Sequence, residues 1–249
     1  MRKYSLLWWL YQPYKWLVFV PLLGISGMVL AIFAIFLAIF VSPSLGNTWG
    51  GISWARFSSF FTPMWVNVSG IENIDRNQSY IVVSNHQSHF DIFVIYGWLK
   101  MDMKWVMKKE LRKIPFIGYA CEKVGHIIVD RSDRAAAIQA IEKAKKNIVN
   151  GTSVMFFPEG TRSKDGAIGV FKKGAFVLAL QLGLPILPIT INGTRKILPS
   201  GSLDLLPGRA EAIVHPAVDT SVYTEKNMAE LISKVRDIIV LSFDAEGAN

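Results

Sequence analysis

Residues 80–91 read Tyr80-Ile81-Val82-Val83-Ser84-Asn85-His86-Gln87-Ser88-His89-Phe90-Asp91. The first five have the pattern of a buried strand, and the polar residues after them form a turn into a helix. The same strand pattern recurs at Lys104–Met107, Gly125–Asp130, Ser153–Phe157 and Pro185–Ile191. Arg134–Val149 has helical spacing, with Ile138, Ile141, Ala144 and Ile148 on one face, Asp133 as N-cap and Asn150-Gly151 as the stop. Lys172–Leu182 is a second helix. Met228–Leu241 is a third, with an apolar stripe of Met228, Leu231, Ile232, Val235, Ile238 and Ile239. Such alternation specifies an α/β fold with a largely parallel central sheet flanked by helices. Functional residues in these folds gather beyond the carboxyl ends of strands.

Two polar stretches occupy such positions. In the first, imidazole near carboxylate is the usual way to hold one histidine tautomer and make a general base. His86 and Asp91 are five apart, so on a regular helix they do not face each other. His86 must therefore lie in the turn, with Asp91 reaching back to it. The alternative is that both residues only cap that turn. A metal site of His86, His89 and Asp91 has matching residue types, but no cluster of further ligands accompanies it.

The second stretch is Phe157-Pro158-Glu159-Gly160-Thr161-Arg162-Ser163. Gly160 lets backbone amides turn towards a ligand. Arg162 offers a planar fork for phosphate oxygens, with hydroxyls from Thr161 and Ser163 beside it, and Glu159 can accept from substrate hydroxyls. The plainer reading is a turn with a local Glu–Arg pair. A third feature, the basic stretch Lys100–Lys113, reads mostly as a solvated helix face. One of its lysines is expected near the phosphate site, and the rest would favour an anionic bilayer surface.

Composition divides the chain. Charged residues are 18% of the 249, where about 25% is typical of soluble domains. No Asp or Glu occurs before Glu72, and up to that point only Arg2, Lys3, Lys15 and Arg56 are charged. This divides the chain into a membrane-anchoring segment, residues 1–65, and an α/β domain, residues 66–249. Trp16 to Val41 carries no charge and, as one helix, is roughly 39 Å long, enough for a transmembrane span. A cleaved signal peptide fits poorly, because the apolar stretch is too long. Arg2, Lys3 and Lys15 place the N-terminus on the cytoplasmic side. The basic domain, with the single Cys121, also belongs there. Two ends on one side favour a helical hairpin over a single span, with arms at residues 4–20 and 27–41 and a bend at Pro21, Gly24 and Gly27. Such a hairpin is embedded in one leaflet, with Trp8, Trp9, Trp16, Trp49, Trp54 and Trp65 at headgroup depth. The net charge of +8 points to an anionic partner, and in the absence of a nucleic-acid-binding motif that partner is lipid.

Asn85-His86-x4-Asp91 together with Phe157-Pro158-Glu159-Gly160-Thr161-Arg162-Ser163 resembles the glycerolipid acyltransferase family. Within it, the closer resemblance is to the bacterial 1-acylglycerol-3-phosphate (lysophosphatidic acid) acyltransferases. Two weaker blocks follow the same order. One is Lys108-Lys109-Glu110-Leu111 with Ile114-Pro115-Phe116-Ile117-Gly118 and Gly125 to Asp130-Arg131, and the other is Leu187-Pro188-Ile189. The resemblance implies acyl transfer from an acyl carrier protein or coenzyme A thioester to the 2-hydroxyl of 1-acylglycerol 3-phosphate, giving phosphatidic acid, with no cofactor. It implies His86 as general base, Asp91 as its orienting carboxylate, and Arg162 with Lys108 on the phosphate. Glu159, Gly160 and Thr161 complete the substrate loop. No acyl-enzyme is implied, and Ser88 and Cys121 are the side chains that could contradict this. Other expectations to be separated from this one are a different acceptor such as glycerol 3-phosphate, a metal-dependent hydrolase, and a lipid-binding protein without catalysis.

Overall fold

The computed structural model describes residues 6–244 apart from residues 131–132, 134–138, 141, 144 and 149. Seven described strands form one sheet: β1 (Met64–Ser69), β2 (Ile81–Ser84), β3 (Met103–Lys108), β4 (Ile127–Val129), β5 (Ser153–Phe156), β6 (Ile186–Asn192) and β7 (Gly208–Val214). Their order is β1-β7-β6-β2-β5-β3-β4. Every neighbouring pair is parallel except β6 with β7. Strands β2, β5 and β6 are buried at every residue, which is why they read as unbroken apolar runs.

Alternate residues of the sheet feed two cores. Val82, Met103, Met155 and Leu187 pack on one side against α4 (Phe90–Leu99) and Ala55 of α3 (Pro43–Phe61). Ile81, Val83, Val154 and Ile186 pack on the other against α6 (Gly174–Leu182) and α8 (Met228–Leu241). Met228, Leu231, Val235 and Ile239 of the expected α8 stripe are buried, with Ile232 and Ile238 at its margin. Strands β1 and β7 were not anticipated. Strand β7 alternates buried with partly exposed residues, whereas in β1 only Met64 is buried and the rest alternate half-buried with exposed; both carry polar side chains such as Asn67, Arg209 and Glu211. The helix expected at 134–149 falls largely outside the described residues, and its stop, Asn150-Gly151, is a left-handed turn before β5.

The N-terminal segment is a helical hairpin with bounds different from those expected. Helix α1 (Leu6–Tyr14), a π-helical turn (Lys15–Phe19) and α2 (Val20–Phe40) run on from one another, and α3 returns. The chain does not bend at Pro21–Gly27. A proline ring clashes with the carbonyl four residues before it, and here the wider π turn lies immediately ahead of Pro21 and accommodates it. The real reversal is at Val41-Ser42. Pro43 excludes helical backbone at Ser42, which is extended (φ −162°, ψ 148°), and the Ser42 hydroxyl accepts from Leu45 N at 3.1 Å. The arms then approach closely, because a Cβ on Gly46 would lie 2.6 Å from Ala34 O and one on Gly50 2.6 Å from Ala34 Cβ.

Both ends of the hairpin are tied to the α/β domain. At one end, buried Lys15 donates to Leu203 O at 3.1 Å. At the other, Ser44 and Asn47 donate to Asp102 at 2.8 and 2.7 Å, and Asp102 also pairs with Lys104 at 2.9 Å. From Asn47 a relay runs inward. Tyr96 Oη donates to Asn47 Oδ1 at 2.8 Å and lies 2.7 Å from His126 Nε2, while Trp105 N donates to His126 Nδ1 at 3.4 Å. With Nδ1 accepting, His126 is neutral and donates through Nε2.

Burial, and next the charge of Lys104, push His126 down to about 3. An unfolded histidine takes up a proton below about pH 6.5. The unfolded chain therefore binds more protons than the folded one between those values. Stability is fully present above about pH 6.5 and is lost as pH falls, by roughly 1 kcal/mol per pH unit. Thermal melts in detergent should show Tm declining from pH 6.5 to 5, above the range of most carboxylates. His126→Gln should flatten that decline. An unchanged slope in the variant would mean that other groups govern it.

Candidate active site

The centre of the site is a carboxylate. Asp91, in the first turn of α4, is fully buried. Its Oδ2 accepts from Gln87 N at 2.7 Å, from Ser88 N at 2.9 Å and from His86 Nδ1 at 2.8 Å. Its Oδ1 accepts from Thr194 Oγ1 at 2.5 Å. The spacing of five thus carries both readings at once, since the oxygen that caps the turn also holds the imidazole. With Nδ1 donating to Asp91, the lone pair of His86 lies on Nε2. The ring is 14% exposed and stacks on Phe157 with centroids 3.8 Å apart and planes 7° apart.

Two further contacts fix the histidine's backbone. Asn85 continues the β2–β6 pairing through its side chain, whose Nδ2 donates to Ile191 O and whose Oδ1 accepts from Ile191 N, both at 2.8 Å. Glu159 Oε1 accepts from His86 N at 2.8 Å, and its Oε2 accepts from Gly169 N at 2.8 Å. Burial raises the Glu159 carboxyl, and the two backbone donors oppose that shift. Glu159 therefore clamps the two loops together, with each oxygen already engaged by a backbone amide.

The second loop leaves β5, the parallel neighbour of β2, and so lies at the same sheet edge. Gly160 turns it with φ +78°, and Ser163 N donates to His86 O at 2.8 Å. The Ser163 hydroxyl is used within the loop, donating to Asp165 and accepting from Gly166 N. Thr161 is exposed, and Arg162 is half-buried. Among the described residues no carboxylate forms an ion pair with Arg162. Its positive charge is felt at His89, where partial burial and then Arg162 hold the imidazole below its usual range. Lys108 ends β3 at the same edge and is exposed, but no hydrogen bond among the described residues joins it to the His86 turn.

His89 is exposed and makes no hydrogen bond to the His86–Asp91 pair, and among the described residues no three His, Cys, Asp or Glu side chains are grouped to hold a metal ion. Ser88 is fully buried, and its hydroxyl donates to Leu198 O at 2.7 Å and accepts from Phe90 N. Burial pushes the Cys121 thiol up to about 11. Neither side chain is poised as a nucleophile. Cys121 instead lines an apolar cavity of about 100 Å³ between the hairpin and α5 (Ile117–Lys123), together with Gly27, Ala31, Trp54 and Tyr96. A row of rings connects it with the histidine: Phe157 to Trp105 at 5.9 Å and Trp105 to Tyr96 at 5.1 Å. The sequence reading assigned no role to Asn85, Thr194, Trp105 or the Phe157 ring. Asn85 and Phe157 both lie inside the two stretches singled out for chemistry, whereas Thr194 lies outside every quoted motif.

Known proteins resemble this chain in sequence and fold. The acyltransferase family profile matches residues 65–192. A 1-acyl-sn-glycerol-3-phosphate acyltransferase of Pseudomonas aeruginosa is 29% identical over 225 residues, covering 88% of this chain and 86% of that one. A chloroplast 1-acyl-sn-glycerol-3-phosphate acyltransferase of Arabidopsis thaliana is 39% identical over 178 residues, 67% of this chain and 50% of its own length. Against such plant relatives the chain spans about half their length. The crystal structure of the 1-acyl-sn-glycerophosphate acyltransferase of Thermotoga maritima superposes with a TM-score of 0.77 at 30% identity, covering 94% of this chain and 92% of that one. A matching profile over half the chain and a shared fold along nearly all of it make this protein a member of the acyltransferase family.

Proposed function

We propose that the protein transfers a fatty acyl group from a thioester of acyl carrier protein or coenzyme A to the 2-hydroxyl of 1-acylglycerol 3-phosphate, forming phosphatidic acid for phospholipid synthesis. The observation that carries this reading is the His86–Asp91 pair, whose Nδ1 contact leaves Nε2 as the basic nitrogen, with Arg162 on the loop that hydrogen-bonds the His86 backbone. His86 Nε2 removes the proton of the acceptor hydroxyl as its oxygen attacks the thioester carbonyl. The carbon–sulfur bond then breaks, and the thiolate leaves with the proton that His86 returns. Asp91 holds the ring and stabilises the transient imidazolium. The acceptor itself is the nucleophile, and the engagement of Ser88 and the high thiol of Cys121 support direct transfer without an acyl-enzyme. Arg162 receives the phosphate, with Lys108 at the same sheet edge. The Glu159 clamp and the Gly160 turn shape the loop beneath it. The apolar cavity behind the aromatic row suits a hydrocarbon chain.

The relatives' printed activities support this acceptor. The N-terminal hairpin supports a membrane setting. The run Trp8–Phe40 is 33 residues long and apolar enough to cross a bilayer. Leu17, Ile25, Val29, Ile32, Phe36 and Phe40 on it are exposed. Because both of its ends are tied to the α/β domain, a crossing would drag the polar domain into hydrocarbon. The hairpin from Leu6 to Phe61 therefore inserts in one leaflet, with the α/β domain, which begins with β1 at Met64 rather than at residue 66, on the cytoplasmic surface at headgroup height.

Acyl transfer by the purified protein in vesicles tests the reaction, with a labelled thioester and lysophosphatidic acid, glycerol 3-phosphate and water competing as acceptors. Phosphatidic acid is the expected product. His86→Ala should lower kcat about 100-fold or more and leave vesicle binding intact. Arg162→Ala should raise KM for the phosphorylated acceptor about 10-fold, with kcat little changed. Acylated glycerol 3-phosphate as the only product would keep the chemistry and replace the acceptor. Free fatty acid made equally by the variant would overturn the reading.

Topology has a separate test. A single cysteine at position 45, in a Cys121→Ser background, should react with an impermeant maleimide from the cytoplasmic side only. Labelling from the opposite side would establish a span.

A further inference from the structure

Among the described residues, the one partner of Asp91 Oδ1 lies far away in the chain. Thr194 opens the short helix α7 (Thr194–Ile197) after β6, and like Asp91 it is fully buried. Its place is set by Gly193, whose backbone at φ +80° passes so close to β7 that a Cβ would lie 2.3 Å from Arg209 O. The residue following α7 is fastened as well, since Ser88 Oγ donates to Leu198 O at 2.7 Å and Leu198 N donates to Thr194 O at 3.0 Å. The α7 turn is thus joined to the His86 turn twice, once through each hydroxyl.

The two carboxylate oxygens of Asp91 are loaded unequally. Oδ2 takes three donors, all from residues 86–88, and Oδ1 takes the Thr194 hydroxyl. A carboxylate held only through Oδ2 can pivot about that oxygen, and the imidazole bound to it would turn with it. We propose that Thr194 is a positioning residue for catalysis. Its hydroxyl locks the rotation of the Asp91 carboxylate and thereby aims His86 Nε2 at the acceptor hydroxyl. Thr194 touches neither substrate nor the reacting atoms and acts only through Asp91. The inference rests on His86 being the general base.

Three variants separate this role from simple support of the fold. Thr194→Val keeps the shape and removes the hydroxyl, Thr194→Ala removes it without the bulk should Val fold poorly, and Thr194→Ser keeps it. The expected result is a fall in kcat of about 10-fold to 100-fold for Val and Ala. KM for lysophosphatidic acid should stay within about twofold, and Ser should recover activity to within about threefold of the parent. Groups that act as a unit are not additive, so Thr194→Val combined with His86→Ala should be no slower than His86→Ala alone. Parental kcat in Val and Ala, or a full additional loss in the double variant, would overturn the role of Thr194. Retention of activity by His86→Ala itself would instead overturn the general-base reading on which it rests.

Discussion

A carboxylate sealed from water is costly unless donors surround it, and an uncompensated one forfeits several kcal/mol of stability. Asp91 is such a group, and its four donors among the described residues come from three places: the amides of Gln87 and Ser88, the ring of His86, and Thr194 just past the end of β6. Each donor has to adopt one conformation to serve it. The turn from β2 into α4, the tautomer of His86 and the docking of α7 are therefore consequences of burying one charge. The loop after β5 is drawn into the same arrangement, because Glu159 and Ser163 hydrogen-bond the backbone of His86 and Phe157 stacks on its ring.

This economy explains why capping and catalysis could not be separated on spacing alone. A spacing of five is wrong for two residues on one helix and right for a helix residue reaching back into its own entry turn. The oxygen that satisfies the turn amides is also the oxygen that orients the imidazole, so the two readings describe one geometry. The same holds for Glu159. The local Glu–Arg pair of the plainer reading does not form among the described residues, and the carboxylate goes to two backbone amides. That leaves Arg162 without an ion-pair partner among the described residues.

What was legible in the sequence follows from the range of each signal. Strands β2, β5 and β6 are buried on both faces and read as continuous apolar runs, and the stripe of α8 is a local periodicity of its own. Strands β1 and β7 cover less of the core, and their alternation is diluted by polar residues on the exposed face. The hairpin reversal was written at Ser42-Pro43, an N-cap followed by a proline at the first helical position. Hydropathy drew attention to Pro21 and the glycines instead, although the π turn beside Pro21 lets the helix continue. Asn85 with Ile191 and Asp91 with Thr194 are pairings across about a hundred residues. No local pattern announces them, and only the parallel placement of β2 beside β6 brings them together.

That placement also sets the relation between site and membrane. Lys15 meets Leu203 in the segment that follows α7, while the opposite end of the hairpin meets Asp102 just ahead of β3. The hairpin thus lies along the domain, from the edge where the strands end to the edge where they begin. Its outward face is largely apolar, and its inward face is closed by small residues and a polar relay. On the proposed function, a lipid whose tails stay in the leaflet offers its hydroxyl to His86 only if the histidine sits at a constant height above the hydrocarbon. A flexible tether would leave that height to chance. In the proposed one-leaflet setting, a hairpin clasped at both ends makes that height a property of the fold.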